Sequence, residues 1–136
     1  MTNRDTHQLK PLLRRALAGH DDANTRYDLG FVLDRAGRSG EAMAQYQLAL
    51  HVNPNHKDAL NNLGVDFARL GRMSDATRAF ERLTIVDPDN AEAHTNLGAV
   101  LLAQGLRNRA GHEFQLALEI SPEHARARDG LRQLGL

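Results

Sequence analysis

The sequence predicts an all-α fold built from repeated pairs of helices. Three features recur every 34 residues without a gap: a Leu-Gly pair, an aromatic residue and a proline. Sequence self-similarity at a fixed period indicates stacked copies of one supersecondary unit. The recurring residues are Leu29-Gly30, Leu63-Gly64 and Leu97-Gly98, then Tyr46, Phe80 and Phe114, then Pro54, Pro88 and Pro122.

The register divides the chain into five parts. Residues 23–56, 57–90 and 91–124 are full units, residues 1–22 form a degenerate half-unit with one helix, and residues 125–136 form a terminal capping helix. In each full unit the second to fourteenth residues have helical spacing of apolar positions. Glycine follows as the fifteenth residue, at Gly37, Gly71 and Gly105, where we expect the helix to end in a left-handed turn.

A second helix follows that turn in every unit. Ala76, Phe80 and Leu83 illustrate it, because their i, i+4, i+7 spacing places them on one helical face. The proline near the end of the unit then stops the helix and biases the preceding residue to extended backbone. Each unit is therefore predicted to be an antiparallel helix pair whose apolar face is buried only when units stack.

The Leu-Gly glycines lie in the middle of the first helix. Glycine there costs about 0.5–1 kcal/mol relative to alanine, so a compensation is expected. We expect the two helices of a pair to approach closely at these glycines, with small side chains of the second helix filling the space. Those side chains are predicted to be Ala42, Ala76 and Ala110.

The two ends contain one helix each, which brings the predicted total to about eight. An apolar stripe that includes Leu9 and Leu13 predicts the first helix, and Pro11 predicts that it begins near Leu9 or Lys10. At the other end Leu131 continues the leucine register. The charged residues of this last helix, Arg126, Arg128, Asp129 and Arg132, are expected to face water, as a capping helix requires.

These columns resemble the tetratricopeptide repeat, whose period is 34 residues and whose small, aromatic and proline positions match. The resemblance covers residues 23–124 without insertions and implies a right-handed α-solenoid that serves protein–protein interaction. Two departures concern local packing. The family's frequent tryptophan at the fourth position is replaced by Arg26, Leu60 and His94, and Leu83 is larger than the alanine of the other units.

Composition argues against several classes of partner. Seventeen basic and 17 acidic residues give zero formal net charge, so we expect no nucleic acid partner, and arginines near helix ends are read as complements of the helix dipole. The chain has no cysteine and no apolar N-terminal signal. Its longest apolar run is far below the roughly 18 residues of a membrane span. A cytoplasmic protein without a membrane partner is expected.

Catalytic and metal-binding patterns are missing from the sequence. The seven histidines include no HExxH motif and no i, i+4 pair, so we interpret them as surface or packing residues. Ser39, Ser74 and Ser121 lie in predicted turns without a nucleophile motif. The glycines are explained by helix packing and termination rather than by a phosphate loop. We expect no enzyme, no cofactor and no metal.

The family resemblance implies a concave groove lined by the first helix of each pair. Transferred to this chain, it implies a peptide-binding set of Tyr27, Asp28, Phe31, Asn61, Asn62, Val65 and Asn96. Asn62 and Asn96 lie one repeat apart, and their amides offer donors and an acceptor to a peptide backbone. They resemble the asparagine ladder of O-linked N-acetylglucosamine transferases. The alternative is that these asparagines are solvated or satisfy neighbouring helices.

Two further interpretations follow from the same columns. Chaperone-binding members of the family have a carboxylate clamp, but only Asn62 matches it here, and Glu92 would repel a carboxylate. We therefore predict a different protein or peptide partner. Self-assembly into homo-oligomers is the alternative function, suggested by the incomplete end units and by the apolar residues 134–136.

Overall fold

The computed structural model describes residues 3–18 and 22–136. Within these residues the chain forms α-helices and no strand, which confirms the all-α prediction. Eight helices are present in this described part: α1 (Asn3–Leu17), α2 (Ala23–Arg35), α3 (Ser39–Val52), α4 (Lys57–Arg69), α5 (Met73–Val86), α6 (Ala91–Ala103), α7 (Arg107–Ile120) and α8 (Ala125–Gln133).

The helices belong to two compact units, which are described separately. The first unit spans residues 1–66, and the second spans residues 67–136. In the first unit α2 packs against both α1 and α3. In the second unit α6 packs against α5 and α7, and α8 packs against α7 and α6. Two of the three antiparallel pairs predicted from the repeat, α2 with α3 and α6 with α7, thus lie within one unit each.

The turn glycines adopt the backbone that the sequence predicts. Gly37, Gly71 and Gly105 have φ values of 78°, 76° and 77°, in the left-handed region that only glycine adopts without a Cβ penalty. Each one follows the first helix of a pair and reverses the chain toward the second. Gly135 repeats this geometry after α8, with a φ of 78°.

The glycines inside α2 and α6 permit close helix approach, as predicted, but the predicted filler is wrong. A Cβ on Gly30 would lie 2.6 Å from Cε1 of Tyr46, and a Cβ on Gly98 would lie 2.6 Å from Cε1 of Phe114. The space is therefore occupied by the aromatic ring of the second helix rather than by its alanine. Ala42 contacts Gly30 through its backbone and not its side chain, since its carbonyl oxygen lies 3.1 Å from the same Cβ position.

The prediction for the start of the first helix is also wrong. Helix α1 begins at Asn3 and includes Pro11 in its interior, so Pro11 does not lie in the first turn. Proline removes one backbone donor, but its own φ near −65° is helical, so the chain can remain helical on both sides. Pro11 is exposed to solvent. Leu9, by contrast, is buried.

The core follows the repeat columns. The aromatic column is almost fully buried, with Tyr46 at 0% and Phe80 and Phe114 at 2% exposure. In α8, the charged residues Arg126, Arg128, Asp129 and Arg132 are exposed, as predicted for a capping helix. Helix α8 has 9 residues, whereas α6 has 13. Helix α8 is therefore about one helical turn shorter than α6.

Candidate partner-binding surfaces

The sequence-predicted contacts of the first unit lie on α2 and α4. We call this set the first-unit surface: Tyr27, Asp28, Phe31, Asn61, Asn62 and Val65. Asp28 is exposed and Phe31 exposes 42% of its surface, while the other four are half-buried. Exposed apolar side chains mark interaction sites when they belong to a contiguous patch, so the neighbours of Phe31 decide its significance.

An aromatic cluster forms the centre of the first-unit surface. The ring centroid of Tyr27 lies 6.3 Å from that of Phe31, 5.8 Å from that of Tyr46 and 5.1 Å from that of His56. Such tilted pairs stabilise each other by about 0.5–1.5 kcal/mol beyond the area they bury. The cluster therefore holds Tyr27 in place and presents Phe31 on a rigid support.

The amide of Asn62 is engaged with two tyrosines of the first unit. Its Nδ2 donates to the hydroxyl oxygen of Tyr27 over 3.3 Å and to that of Tyr46 over 3.4 Å. Both distances lie at the long end of the hydrogen-bond range. These contacts agree with the alternative interpretation, in which the asparagines satisfy neighbouring helices. In this geometry Asn62 orients the tyrosine hydroxyls, and its Oδ1 accepts from Nδ2 of Asn61 over 3.5 Å.

Tyr46 connects this network to a carboxylate. Its hydroxyl donates to Oδ2 of Asp34 over 2.9 Å. The other oxygen, Oδ1, is buried and has no hydrogen-bond partner among the described residues. Burial and the neighbouring Asp34 charge raise the pKa of Tyr46 above its usual value, although the hydrogen bond from Asn62 opposes the shift. The buried hydroxyl therefore remains a donor to Asp34 far into the alkaline range.

Negative charge surrounds the exposed part of the cluster. Burial and then the charge of Asp58 raise the pKa of Tyr27, and Asp28 and Asp34 act in the same direction. One cation counters them, because the guanidinium carbon of Arg35 lies 5.9 Å from the ring centroid of Phe31. The first-unit surface is therefore aromatic and moderately acidic, which is the opposite of a carboxylate clamp.

Asn96, the remaining predicted contact, lies in the second unit and in different surroundings. It is only 8% exposed, and its Oδ1 accepts a hydrogen bond of 3.1 Å from Nη1 of Arg126. Arg126 also pairs with Glu92, which in turn accepts a 2.8 Å bond from Nε2 of His124. Asn62 and Asn96 therefore share a register position but have different partners.

Two histidines have a role that the sequence analysis missed. His56 and His124 precede α4 and α8, and their Nδ1 atoms accept backbone N–H bonds from Ala59 over 3.1 Å and Ala127 over 3.3 Å. Accepting at Nδ1 places the ring proton on Nε2. These histidines therefore cap helix N-termini, as Asn90 does at the same repeat position by accepting from Ala93. Their shared position, the last residue of each 34-residue unit, was the sequence signal for this capping role.

We expect His124→Ala to lower the free energy of unfolding by about 1 kcal/mol, because the first turn of α8 loses its side-chain cap. His124→Asn is the matched control, since asparagine caps α6 at the equivalent position. It should retain most of the stability, as an exposed pairing with Glu92 contributes little. Urea denaturation measures both variants. Equal losses in the two variants would show that the cap is not what stabilises α8.

The second unit contains a cleft between α6 and α8 that the sequence analysis did not identify. Its volume is about 420 Å³, within the range of roughly 300–1,000 Å³ that is typical of ligand sites. The lining residues are Thr95, Ala99, Leu102, Ala103, Phe114, Arg126, Asp129, Gly130 and Gln133.

Residues 3–18 and 22–136 contain no group of three or more histidine, aspartate or glutamate side chains that could hold a metal ion. Within the same residues, every helix is too short or too polar to traverse a lipid bilayer.

Comparison with known families gives one match. A family model described as tetratricopeptide repeat matches residues 27–77 and 61–125, which together cover more than half of the chain. No curated protein sequence matches. The aligned segments include all three Leu-Gly glycines, the pair α6 and α7, and the pair α2 and α3 from residue 27 onward.

Solved structures of the same architecture are similar to this chain. YrrB, described as a tetratricopeptide protein with an unusual peptide-binding site, is 26% identical with a TM-score of 0.79, and the match covers 89% of this chain and 62% of that one. The first repeat domain of Spaghetti (RPAP3), solved with an HSP90 peptide, is 19% identical with a TM-score of 0.79, covering 83% and 90%. An O-GlcNAc transferase mutant of Thermobaculum terrenum is 28% identical with a TM-score of 0.69, covering 98% and 23%.

Proposed function

Because the chain belongs to the tetratricopeptide repeat family, we propose that it is a non-enzymatic interaction module that binds a peptide or helix of a protein partner. Structurally similar members are described with a peptide-binding site or with a bound peptide. The transferase resemblance extends over only 23% of that enzyme, so it supports a shared repeat region and carries no argument for catalysis here.

Phe31 is the observation that carries the proposal. It exposes 42% of its surface at the edge of an aromatic cluster whose other rings are held by packing and hydrogen bonds. Burying an exposed phenylalanine under a partner contributes about 1.5–3 kcal/mol. A rigid aromatic anchor also loses little side-chain entropy on binding, which favours its use as a contact residue.

The remaining contacts have distinct roles in this proposal. Val65 extends the apolar area beside Phe31, and Asp28 adds a charge that favours basic over acidic partner residues. Asn61 offers an amide to a partner backbone. Asn62 acts mainly by orienting Tyr27, because its amide nitrogen donates to that hydroxyl. In the second unit, Asn96 is proposed as a further contact of the partner, beside Arg126.

Selection of random peptides displayed on phage, with the purified protein as the target, tests this function. We expect enriched peptides whose affinity falls at least about tenfold in Phe31→Ala, the equivalent of about 1.4 kcal/mol. Leu48→Ala is the matched control, because Leu48 is equally exposed at 43% but lies on α3, outside the first-unit surface. It should bind the same peptides with unchanged affinity.

Two results would contradict the proposal. One is that no peptide sequence is enriched over several rounds. The other is that Phe31→Ala and Leu48→Ala weaken the enriched peptides equally, since the binding would then not depend on the first-unit surface. Circular dichroism of both variants is the control for folding, because an unchanged helical signal assigns the loss to a contact and not to unfolding.

Self-assembly is the second candidate function. Ile85 exposes 71% of its surface and Leu70 exposes 58%, and exposed apolar side chains of this size favour association when they are contiguous. The partner in that case is a second copy of the chain. Light scattering over a concentration series distinguishes the two functions, because a monomer at high concentration leaves peptide binding as the function.

A further inference from the structure

The cleft of the second unit exists because small residues replace large ones at defined repeat positions. Ala99 and Ala103 on α6 stand where α2 carries Phe31 and Arg35. Gly130 on α8 stands where α4 carries an asparagine. Three side chains that would fill the space between the helices are therefore absent from this repeat.

The shortness of α8 leaves the cleft open at one end. Helix α8 ends at Gln133 after 9 residues, whereas α2 and α6 each have 13. A left-handed turn at Gly135 then directs the chain away, and the N–H of Leu136 bonds to the carbonyl of Leu131. Gln133, the last residue of α8, is one of the residues that line the cleft.

The walls of the cleft differ in chemistry between floor and rim. We use floor for the apolar lining residues, which are Ala99, Leu102, Ala103 and Phe114. That ring cannot move aside, because it is held between Gly98 and Gly130, whose Cβ positions would lie 2.6 and 2.5 Å from its atoms. The floor is therefore apolar and rigid.

The charges at the rim of the cleft are balanced within the second unit. Arg126 pairs with Glu92, and Asp129 accepts a 3.3 Å bond from Arg132. A charged ligand group that entered the cleft would give up its hydration without meeting an uncompensated opposite charge, which is unfavourable. The occupant that fits is therefore uncharged.

Polar groups at the rim suit a peptide backbone. Arg126 lines the cleft, and its guanidinium already donates from Nη1 to Glu92 and Asn96. Gln133 offers both a donor and an acceptor. Backbone amides of an extended segment need one donor and one acceptor at each residue, so these groups can hold the chain on either side of an inserted side chain.

We propose that the cleft between α6 and α8 binds one large uncharged apolar side chain, such as leucine, methionine or phenylalanine, from an extended peptide of the partner. This inference rests on the proposed interaction function and adds a second anchor to it, with its own specificity. The first-unit surface is aromatic and acidic, whereas this cleft selects for apolar volume. A partner is therefore expected to carry an apolar residue as one of its recognition elements.

Three blocked amino acids test the cleft without knowledge of the partner. N-acetyl-leucine N-methylamide and N-acetyl-phenylalanine N-methylamide are titrated to millimolar concentration into the full-length protein labelled with nitrogen-15. N-acetyl-lysine N-methylamide is the charged comparison. We expect saturable amide shift changes at Thr95, Ala99 and Gly130 with the two apolar probes, and binding of the lysine probe at least about tenfold weaker.

Cleft-filling variants supply the matched control. Ala99→Phe should abolish the shift changes, and the fold tolerates this residue because α2 carries Phe31 at the same position. Ala103→Arg, which copies Arg35, is the second variant in case the first is unstable. Ala125→Phe adds the same ring at an exposed position of α8 outside the lining residues and should bind the probes normally.

Each outcome either supports or overturns the inference. Saturable shifts confined to the cleft that disappear in Ala99→Phe support it. No saturable shift, shifts centred elsewhere, equal binding of the lysine probe, or persistence in both cleft-filling variants would overturn it. The peptide selection can succeed through Phe31 while the probes fail at the cleft, so failure here is distinguishable from failure of the proposed function.

Discussion

Gly98→Ala is expected to lower the free energy of unfolding by about 1–2 kcal/mol, although alanine is the better helix former. Helix propensity alone would stabilise the variant by about 0.5–1 kcal/mol. The added methyl group, however, would lie 2.6 Å from the ring of Phe114, which is also confined by Gly130 on its other side. Overpacking of a rigid core costs about 1–3 kcal/mol, which exceeds the gain.

Gly40→Ala is the matched control for this result. Gly40 lies in α3 with no atom within 4 Å of its Cβ position, so only the propensity gain applies, and stability should rise by about 0.5–1 kcal/mol. In Gly98→Ala, replacing Phe114 by leucine as well should recover part of the loss through a non-additive coupling. Urea denaturation measures all variants. Stabilisation in Gly98→Ala, or purely additive effects in the pair, would contradict the steric explanation.

Tyr46→Phe is expected to lower the free energy of unfolding by about 1–3 kcal/mol, because it removes the hydrogen bond from a buried hydroxyl to the half-buried carboxylate of Asp34. Oδ2 of Asp34 accepts from this hydroxyl, and Oδ1 has no partner among the residues described. Tyr27→Phe is the matched control. Its hydroxyl accepts one long bond from Asn62, so its removal should cost only about 0.5 kcal/mol.

The same hydroxyl predicts how stability depends on pH. The pKa of Tyr46 is raised in the folded protein above the 10.0 of an unfolded chain. Its contribution is therefore complete below pH 10 and is lost as the pH rises above that value, because only the unfolded state then releases the proton. Urea midpoints above pH 10 should fall less steeply in Tyr46→Phe than in the wild type. Identical slopes would show that the hydroxyl is not shielded.

Backbone features were the most predictable part of the fold. Gly37, Gly71 and Gly105 have the left-handed φ that the spacing predicts, since no other residue adopts it without a steric cost. Pro11 was less informative. Proline restricts its own φ and removes one donor, and neither effect determines how far a helix extends upstream. The start of α1 at Asn3 was accordingly not predictable from Pro11.

The candidate site was only partly predictable, because its chemistry depends on contacts between distant residues. Position in the repeat placed Tyr27 and Phe31 on one helix face. It gave no information about the bonds from Asn62 to Tyr27 and Tyr46, which join residues 35 and 16 positions apart. The use of His124 as a helix cap likewise depends on a ring orientation that composition does not specify.

The sequence by itself determined the helix pairs and their boundaries at glycine turns, because these depend on local backbone preferences repeated at a fixed period. Only the tertiary structure decided which groups remain available to a partner. Phe31 exposes 42% of its surface and Phe114 exposes only 2%, although both are phenylalanines within the same repeat pattern. The cleft beside Phe114 arises from Ala99 and Gly130, which are distant in sequence and become neighbours only when α6 and α8 pack. Exposure and cavities depend on how side chains pack, and packing is determined by contacts between residues that are distant in the sequence.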